Sequence, residues 1–457
     1  MHWVIFLLAS IAAGAWAADW PPEVPEWSRF QGKAAPRSKA APSAETPASA
    51  PGCPSGSPRR HPVESLSSEP SFEVKELKPW AEVPLPKDDL TPASAVEAAG
   101  KTRAYWAAKP AAEAVVIGNR TYTAGHMAKS FAVLAGLLGR GLAPEALKAE
   151  LEKSFDVFQA VKPDGTLEGT MTAYYDPEIP VSPLTALASP ASARGGATAL
   201  ADSAAAAASG VPIHAKPLDL VRVDPSSGLS FDWGRVGPDG KLVPHYSRKE
   251  VDAGALAGQG LELYSTRHPT DLLNLQTEGS GWGVLPDGLR VRLAFNGANG
   301  HTFRSVGKTL MDCGLIPPGT GSFAILDYLK SQTLEREMEL VQSNPRYVYF
   351  KEVASTGGPW GATGVELVAG RSVASDPKQV RLGLAGILVS RKPVAADDGT
   401  FQGFQDFTRF VFTHDVGSAI RGPVRLDVFW GRGAKAESEA HRMMFPGKLT
   451  ILVLKQP

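Results

Sequence analysis

Apolar and polar residues follow two different rhythms along the chain, and each rhythm predicts a different kind of element. Apolar residues recur at helical spacing from Tyr122 to Arg140 and from Pro144 to Phe158, which predicts two helices. The segment from Ser322 to Val341, rich in Glu, Leu and Lys, predicts a third helix. Leu167 to Tyr175 is typical of a strand, and Leu285 to Leu289 is a hairpin signal.

The last hundred residues have a different pattern from the helical part. From Tyr347 to Leu454 the sequence predicts short strands separated by glycine and proline. Such an ending is typical of a small closed or Greek-key barrel rather than an open sheet. The predicted fold class is therefore mainly β with some helix (α+β).

The N-terminal residues match a secretory signal rather than a folded segment. An apolar run from Val4 to Ala13 is too short to span a membrane, and Ala15-Trp16-Ala17 offers a cleavage site. We expect a signal peptide at residues 1–17 and a periplasmic or secreted protein, with outer-membrane association open and no lipid anchor evident. A buried N-terminal helix is the alternative.

Two tracts are biased in composition. Residues 18–75 are dense in Pro, Ala and Ser, and they predict a disordered linker because they can bury little apolar surface. Residues 186–210 are Ala-rich and predict a low-complexity surface loop, with a short helix as the alternative.

Overall charge excludes some partners. In 457 residues, 47 Lys and Arg balance 47 Asp and Glu, so no basic excess points to nucleic acid. Only two cysteines are present, which makes a disulfide framework unlikely, and no Cys/His spacing suggests a zinc site. We expect no cofactor and no metal.

Four segments combine glycine, aromatic and uncharged polar residues, which suits a sugar-binding groove better than a core. They are residues 172–177, 271–281, 296–305 and 415–422. Each one taken alone could equally be a glycine-rich turn.

Asp427 is a candidate acid because it interrupts an apolar strand from Val424 to Trp430. Partial desolvation favours the neutral form of a carboxyl group and raises its pKa, as protonation of a glycosidic oxygen requires. The alternative is a solvated ion pair between Asp427 and Arg425 or Arg432.

Five ordered motifs give the sequence a family resemblance. The stretch Asp415 to Gly431, DVGSAIRGPVRLDVFWG, resembles the catalytic loop and strand of the membrane-bound lytic murein transglycosylase A family. TAYYDP, DLLNLQTEGSG, FNGANGHTFRSVGKTLMDCG and the run from NPRYVYF to GATGVELVAGRSVASD resemble further family segments in the same order. The resemblance covers roughly Lys162 to Lys455.

The resemblance implies a fold and a reaction. The fold would be a double-psi β-barrel with a smaller β-rich domain inserted, and the glycan would lie in the groove between them. The implied domains are a barrel part at 76–176, an insert at 177–350 and a second barrel part at 351–457. The implied enzyme is an exo-acting peptidoglycan lyase that cleaves between N-acetylmuramic acid and N-acetylglucosamine and forms 1,6-anhydromuramic acid ends.

The resemblance also implies roles for individual residues. Asp427 would be the acid and later the base, Asp415 would support it, and Asp376 would complete a set of three aspartates. The predicted substrate-binding residues are Thr172, Tyr174, Gln276, Gly279, Ser280, Ser305, Gly417 and Ser418. The expected partners are peptidoglycan glycan strands and cell-wall enzyme complexes, and the protein is expected to be a monomer.

Some positions depart from the family pattern. Ala173 replaces a favoured glycine, and the family's lipid-attachment cysteine is absent. His414 is discounted as a base because neighbours on a strand point to opposite faces, away from Asp415. A non-catalytic peptidoglycan-binding protein and a murein hydrolase remain alternatives on the same fold.

Overall fold

The computed structural model describes residues 74–76, 80–183, 210–224, 227–231, 233–354, 357–417, 419–422 and 424–457. The predicted signal peptide, nearly all of the predicted linker, the Ala-rich tract up to residue 209 and Ser418 lie outside these ranges. None of the helices in the described ranges is long and apolar enough to cross a membrane.

The first part of the described chain combines three helices with the first strands. Its elements are β1 (Val74–Glu76), α1 (Pro92–Ala107), β2 (Ala114–Ile117), β3 (Arg120–Thr123), α2 (Ala124–Leu138), α3 (Pro144–Ser154), β4 (Phe155–Ala160), β5 (Gly169–Asp176), β6 (Glu178–Pro180) and β7 (Ser182–Pro183). Helices α1 and α3 each begin with proline in the first turn, where its missing N–H costs nothing.

The middle of the chain contains short strands and five helices. Its elements are β8 (Val211–His214), β9 (Val221–Arg222), β10 (Trp233–Val236), β11 (Leu242–Val243), α4 (Arg248–Asp252), β12 (Glu262–Thr266), α5 (Pro269–Glu278), β13 (Gly281–Val284), β14 (Arg290–Ala298), α6 (Val306–Asp312), α7 (Ser322–Lys330), α8 (Leu334–Val341) and β15 (Val348–Val353).

The last part is mostly strand. Its elements are β16 (Ser372–Ser375), β17 (Ala385–Ala395), β18 (Phe401–Val416), β19 (Arg425–Arg432), α9 (Ala434–Ala440) and β20 (Met444–Leu454).

Six strands close into a barrel. Their order is β20-β17-β18-β16-β19-β5, and β5 pairs back with β20 to complete the ring. The β16–β18 and β19–β5 pairs are parallel and the others antiparallel. This closed barrel confirms the predicted mainly β fold class. Helices α1 and α2 pack on it, and Phe131 of α2 lies with its ring centre 6.4 Å from that of Phe412.

The chain leaves the barrel after β5 and returns to it at β16. The intervening segment has its own buried cluster, which includes Ile213, Leu272, Leu293 and Phe350. The four-stranded sheet β15-β14-β13-β6 gives this insert its frame. The insert is therefore a second body, connected to the barrel between β5 and β16.

Several predicted element bounds are wrong. The predicted helix from Tyr122 starts instead at Ala124, because Arg120–Thr123 pairs as β3. The predicted helix Pro144–Phe158 ends at Ser154, since Phe155 begins β4.

The third predicted helix is also wrong, because it is two helices. The hydroxyl of Thr333 accepts the N–H of Arg336 and starts a second helix. Three barrel strands are longer than the short strands predicted, with 11 residues in β17, 16 in β18 and 11 in β20, whereas β16 has four.

Candidate active site

Strand register brings the predicted acidic residues onto one face of the barrel. Asp427 on β19 lies between Thr172 on β5 and Ala374 on β16, and Ala374 is also paired with Asp415 on β18. Side chains of paired residues share a face, so these groups emerge together. Two strand spacings separate the backbones of the two aspartates by about 10 Å.

One oxygen of Asp427 is held and the other is free. The hydroxyl of Thr172 donates to Oδ1 at 2.5 Å, while Oδ2 has no partner among the described residues. Burial raises the pKa of Asp427, the charge of Asp415 raises it further, and the Thr172 bond and the charge of Arg425 oppose the rise. The acid is therefore neutral over a wider pH range than an exposed aspartate.

Neither arginine considered as a partner of Asp427 neutralises it. The guanidinium of Arg425 donates to Thr172 Oγ1 at 2.7 Å and to the Leu426 carbonyl at 2.7 Å. Arg432 instead lies 3.6 Å from a carboxylate oxygen of Glu178. The alternative of a solvated ion pair is not what the structure has.

Asp415 is fully engaged by donors. Its Oδ2 accepts the Tyr174 hydroxyl at 2.9 Å, and its Oδ1 accepts the backbone N–H groups of Val416 at 2.9 Å and Ala362 at 3.1 Å. Burial nonetheless raises its pKa, against these three bonds. A carboxylate whose two oxygens both accept hydrogen bonds suits a fixed electrostatic role better than proton transfer.

Asp376 shapes the loop that precedes the acid strand. Its Oδ2 accepts the backbone N–H of Gly422 at 3.0 Å, and its Oδ1 accepts that of Lys378 at 3.2 Å. Gly422 has φ of +98°, a conformation that favours glycine. The third aspartate thus fixes the chain between β18 and β19 without reaching Asp427.

A cleft of about 150 Å³ opens beside the acid, and we call it the Asp427 cleft. It lies between barrel and insert, since both contribute lining residues. They are Arg248, Gln276, Thr277, Phe303, Asn344, Arg346, Val348, Gly417, Ala419, Ile420, Arg425 and Asp427.

Helix α5 of the insert contacts strand β5 of the barrel beside this cleft. Its Asn274 side chain donates to the Tyr175 hydroxyl at 2.8 Å, and its Glu278 accepts the Tyr175 N–H at 3.0 Å. At the same junction Arg292 donates to Asp176 at 2.5 and 2.7 Å, and both side chains are buried.

Of the predicted substrate-binding residues, Gln276 and Gly417 line the cleft, and Thr172 and Tyr174 hold the two aspartates. Gln276 is buried, accepting a bond from Arg248 and donating to the Val348 carbonyl at 2.9 Å.

Three other predicted residues have local bonds and are absent from the cleft lining. Gly279 ends α5 with φ of +86°. The Ser280 hydroxyl accepts a bond from Arg292 at 3.2 Å. Ser305 is exposed and accepts the Lys308 N–H at 3.2 Å, which starts α6.

The neighbours of the two aspartates point away, as alternation along a strand requires. His414 is fully buried, with Nε2 2.8 Å from the Thr102 hydroxyl and Nδ1 2.8 Å from that of Ser372. Burial lowers its pKa to about 3, so it stays neutral. The same alternation holds on β5, where Tyr174 contacts Asp415. Its neighbour Tyr175 points the other way, and the Tyr175 hydroxyl donates to Glu437 at 3.0 Å.

Two functional candidates escaped sequence reasoning. Glu278 lies within the segment 271–281, whose uncharged polar and glycine residues suggest a sugar-binding groove. Burial raises the pKa of Glu278 to about 8. Arg248 has no sequence signal except the Ser-x-x-Glu capping box of α4, in which Ser247 and Glu250 bond each other.

Two domain families match the chain. The MltA specific insert domain matches residues 198–351, and the 3D domain matches residues 371–453. Together they define the class, a 3D-domain protein that carries an MltA-type insert.

A named enzyme is similar to part of this chain. The chain is 32% identical to membrane-bound lytic murein transglycosylase A of Escherichia coli (strain K12) over 208 residues, 45% of this chain and 55% of that protein. The matched stretch thus spans only about half of that relative. The chain is thus similar to membrane-bound lytic murein transglycosylase A, and it matches both the MltA insert model and the 3D domain model.

Solved structures share the architecture. A membrane-bound lytic murein transglycosylase from Agrobacterium tumefaciens is 25% identical with a TM-score of 0.61, and the match covers 84% of this chain and 98% of that one. E. coli MltA with bound chitohexaose has a TM-score of 0.55 at 22% identity, covering 81% of this chain and 91% of that one. The second likeness concerns the fold alone.

Proposed function

We propose that this protein cleaves peptidoglycan glycan strands as a lytic transglycosylase, with Asp427 as its acid. The observation that carries the proposal is the state of that carboxyl group. Burial raises its pKa, Thr172 fixes one oxygen, and the other has no partner in the described chain while the side chain lines the cleft.

The proposed reaction uses this one group twice. Neutral Asp427 donates its proton to the oxygen between N-acetylmuramic acid and N-acetylglucosamine, and the C1–O bond breaks. The 6-hydroxyl of the muramic acid attacks C1, and the Asp427 carboxylate accepts the hydroxyl proton. The products are a 1,6-anhydro end and a free N-acetylglucosamine hydroxyl, with no water consumed.

The supporting residues have separate tasks in this scheme. Asp415, held by three donors, maintains a charge that keeps the proton on Asp427. Asp376 sets the loop, and Thr172 sets the acid's orientation. Gln276 and Gly417 are the proposed glycan contacts with support from the cleft, whereas Gly279, Ser280 and Ser305 have only local bonds.

We also propose a site of action and an organisation. The relatives named above are called membrane-bound murein enzymes, which supports action in the cell envelope on peptidoglycan. The matched domains support an insert near residues 177–350 between two barrel parts.

The test is a digest of purified sacculi read by mass spectrometry. Wild-type protein should release 1,6-anhydromuropeptides, and Asp427→Asn should lose roughly a hundred- to ten-thousand-fold in rate while folding normally. Asp406→Asn is the matched control, since Asp406 lies exposed on β18.

Three results would refute the proposal. Digestion by Asp427→Asn at near the wild-type rate would place the acid elsewhere. Products with hydrolysed reducing ends would identify a murein hydrolase, and binding without any product would identify a non-catalytic protein.

A further inference from the structure

The Asp427 cleft has a marked excess of positive charge. Three arginines line it, Arg248 and Arg346 from the insert and Arg425 from the barrel, and its one lining carboxyl group is Asp427. Because the pKa of Asp427 is raised by burial, that group offsets the charge only in part.

Arg248 is the most unusual of these three arginines, because only 1% of its surface is exposed. Its Nε donates to the Asn344 carbonyl at 3.1 Å, and its Nη2 donates to the Arg346 carbonyl at 3.0 Å and to Gln276 Oε1. All three acceptors are neutral. No acceptor for Nη1 occurs among the described residues.

The surroundings compensate the Arg248 charge only weakly. No carboxylate of the described chain lies within ion-pair distance, Asp252 acts from farther away, and the Tyr347 ring centre lies 5.3 Å from the guanidinium carbon. Burial consequently lowers the pKa of Arg248. Burying a charge without a counter-ion is costly, so a ligand anion would repay much of that cost.

Arg425 faces the same cleft from the barrel side. It is half-buried, donates only to the Thr172 hydroxyl and to the Leu426 and Thr170 carbonyls, and has no ion pair within the described residues. Burial lowers its pKa too. Because Asp427 lies two residues along the same strand, Arg425 shares its face.

We propose that the Asp427 cleft is a subsite for a carboxylate carried by the muramic acid unit, bound by Arg248 and Arg425. Guanidinium groups bind carboxylates through paired, charge-assisted hydrogen bonds. Two substrate groups have this chemistry: the lactyl carboxylate of a glycan without peptide, and a carboxylate of the stem peptide. This proposal rests on the proposed function, because it assumes a muramic acid substrate.

The test measures binding rather than turnover, in full-length protein carrying Asp427→Asn. The probes are chitohexaose, which is neutral, a muramic acid glycan stripped of peptides, and the same glycan with stem peptides. Adding Arg248→Gln should weaken binding of an anionic probe roughly 10- to 100-fold more than binding of chitohexaose, which changes only through the loss of the bond to Gln276. Loss confined to the peptide-bearing glycan assigns the stem carboxylate, and loss with the stripped glycan assigns the lactyl group.

Controls separate this role from a structural one. Arg290→Gln is the matched control, since Arg290 is exposed, pairs with Glu178 and does not line the cleft. If Arg248→Gln does not fold, Arg425→Gln carries the test with the same expected selectivity.

Equal losses for neutral and anionic probes in the folded variants would overturn the proposal. So would wild-type-like affinity for all three probes. Failure of the proposed function would differ, because it would appear as missing anhydro products from the unmodified protein whatever the probes show.

Discussion

Glu278 makes the stability of this protein depend on pH in a way that can be measured. It is the last residue of α5, and one oxygen accepts the Tyr175 N–H at 3.0 Å. Burial raises its pKa to about 8 from an ordinary 4.5, and the neighbouring charges of Asp427, Glu437 and Asp176 add to the rise.

The sign and size of this pH dependence follow from the linkage between proton binding and folding. Because the folded state holds this proton more tightly than the unfolded state, the stabilising effect of the proton is complete below pH 4.5 and is lost as the pH rises to about 8. The difference between 4.5 and about 8, at about 1.4 kcal/mol per pKa unit, gives an upper bound of about 5 kcal/mol. Glu278 is partly exposed, so solvent screens part of this effect. We therefore expect the free energy of unfolding to change by about 2 kcal/mol or more.

Substitution with glutamine isolates this effect. In Glu278→Gln the amide oxygen can still accept the Tyr175 N–H, but no proton is lost at high pH. Its free energy of unfolding should match that of the wild type near pH 4.5 and exceed it increasingly up to pH 9.

The assay is denaturant unfolding at pH 5, 7 and 9, followed by circular dichroism. Glu152→Gln serves as the control, because Glu152 is exposed on α3. A constant difference between Glu278→Gln and wild type across this range would refute the reasoning, since it would mean that Glu278 ionises as an exposed residue does.

Two further substitutions should move the activity profile in opposite directions. Wild-type activity should fall as pH rises through the raised pKa of Asp427. Thr172→Val removes the hydrogen bond that lowers this pKa, so the fall should move to higher pH, with roughly tenfold lower maximal rate from lost positioning. Asp415→Asn removes a negative charge that raises the pKa of Asp427. The fall in activity should therefore move to lower pH, while measurable activity remains. Rates of anhydromuropeptide release between pH 4 and 9 check both, and shifts of the same sign would contradict this account.

Continuous motifs predicted several residues that the structure brings together, and the roles of these residues stay predictions. Asp427 and Asp415 stand in one stretch, and alternation along a strand correctly separated Asp415 from His414. Gln276 lies in a polar, glycine-rich segment that carries the family resemblance, and it lines the cleft, while its role as a glycan contact stays a prediction.

Residues whose roles depend on three-dimensional neighbours were harder to predict. Ser280 and Ser305 are predicted sugar contacts, and in the structure their hydroxyls bond Arg292 and a helix N-terminus. Arg248 gave no signal, because its burial arises from the packing of α4 against the turn at Asn344 and against α5. The Glu, Leu and Lys content of residues 322–341 predicts one helix and does not reveal the break at Thr333, where a second helix begins.

The insertion of a second body into the barrel also governs the order in which the protein can assemble. The hydrogen bond between Thr172 and Asp427 joins residues 255 positions apart, and β5 must also pair with β20. Closing so long a loop costs conformational entropy that a prefolded insert reduces, because it shortens the flexible path between the barrel halves. A chain still emerging from the ribosome has Thr172 and the insert but lacks β19, and the ring cannot close before β20 is made. The complete Asp427 site is thus among the last features to form, so the proposed glycan-cleaving activity would be absent from unfinished chains.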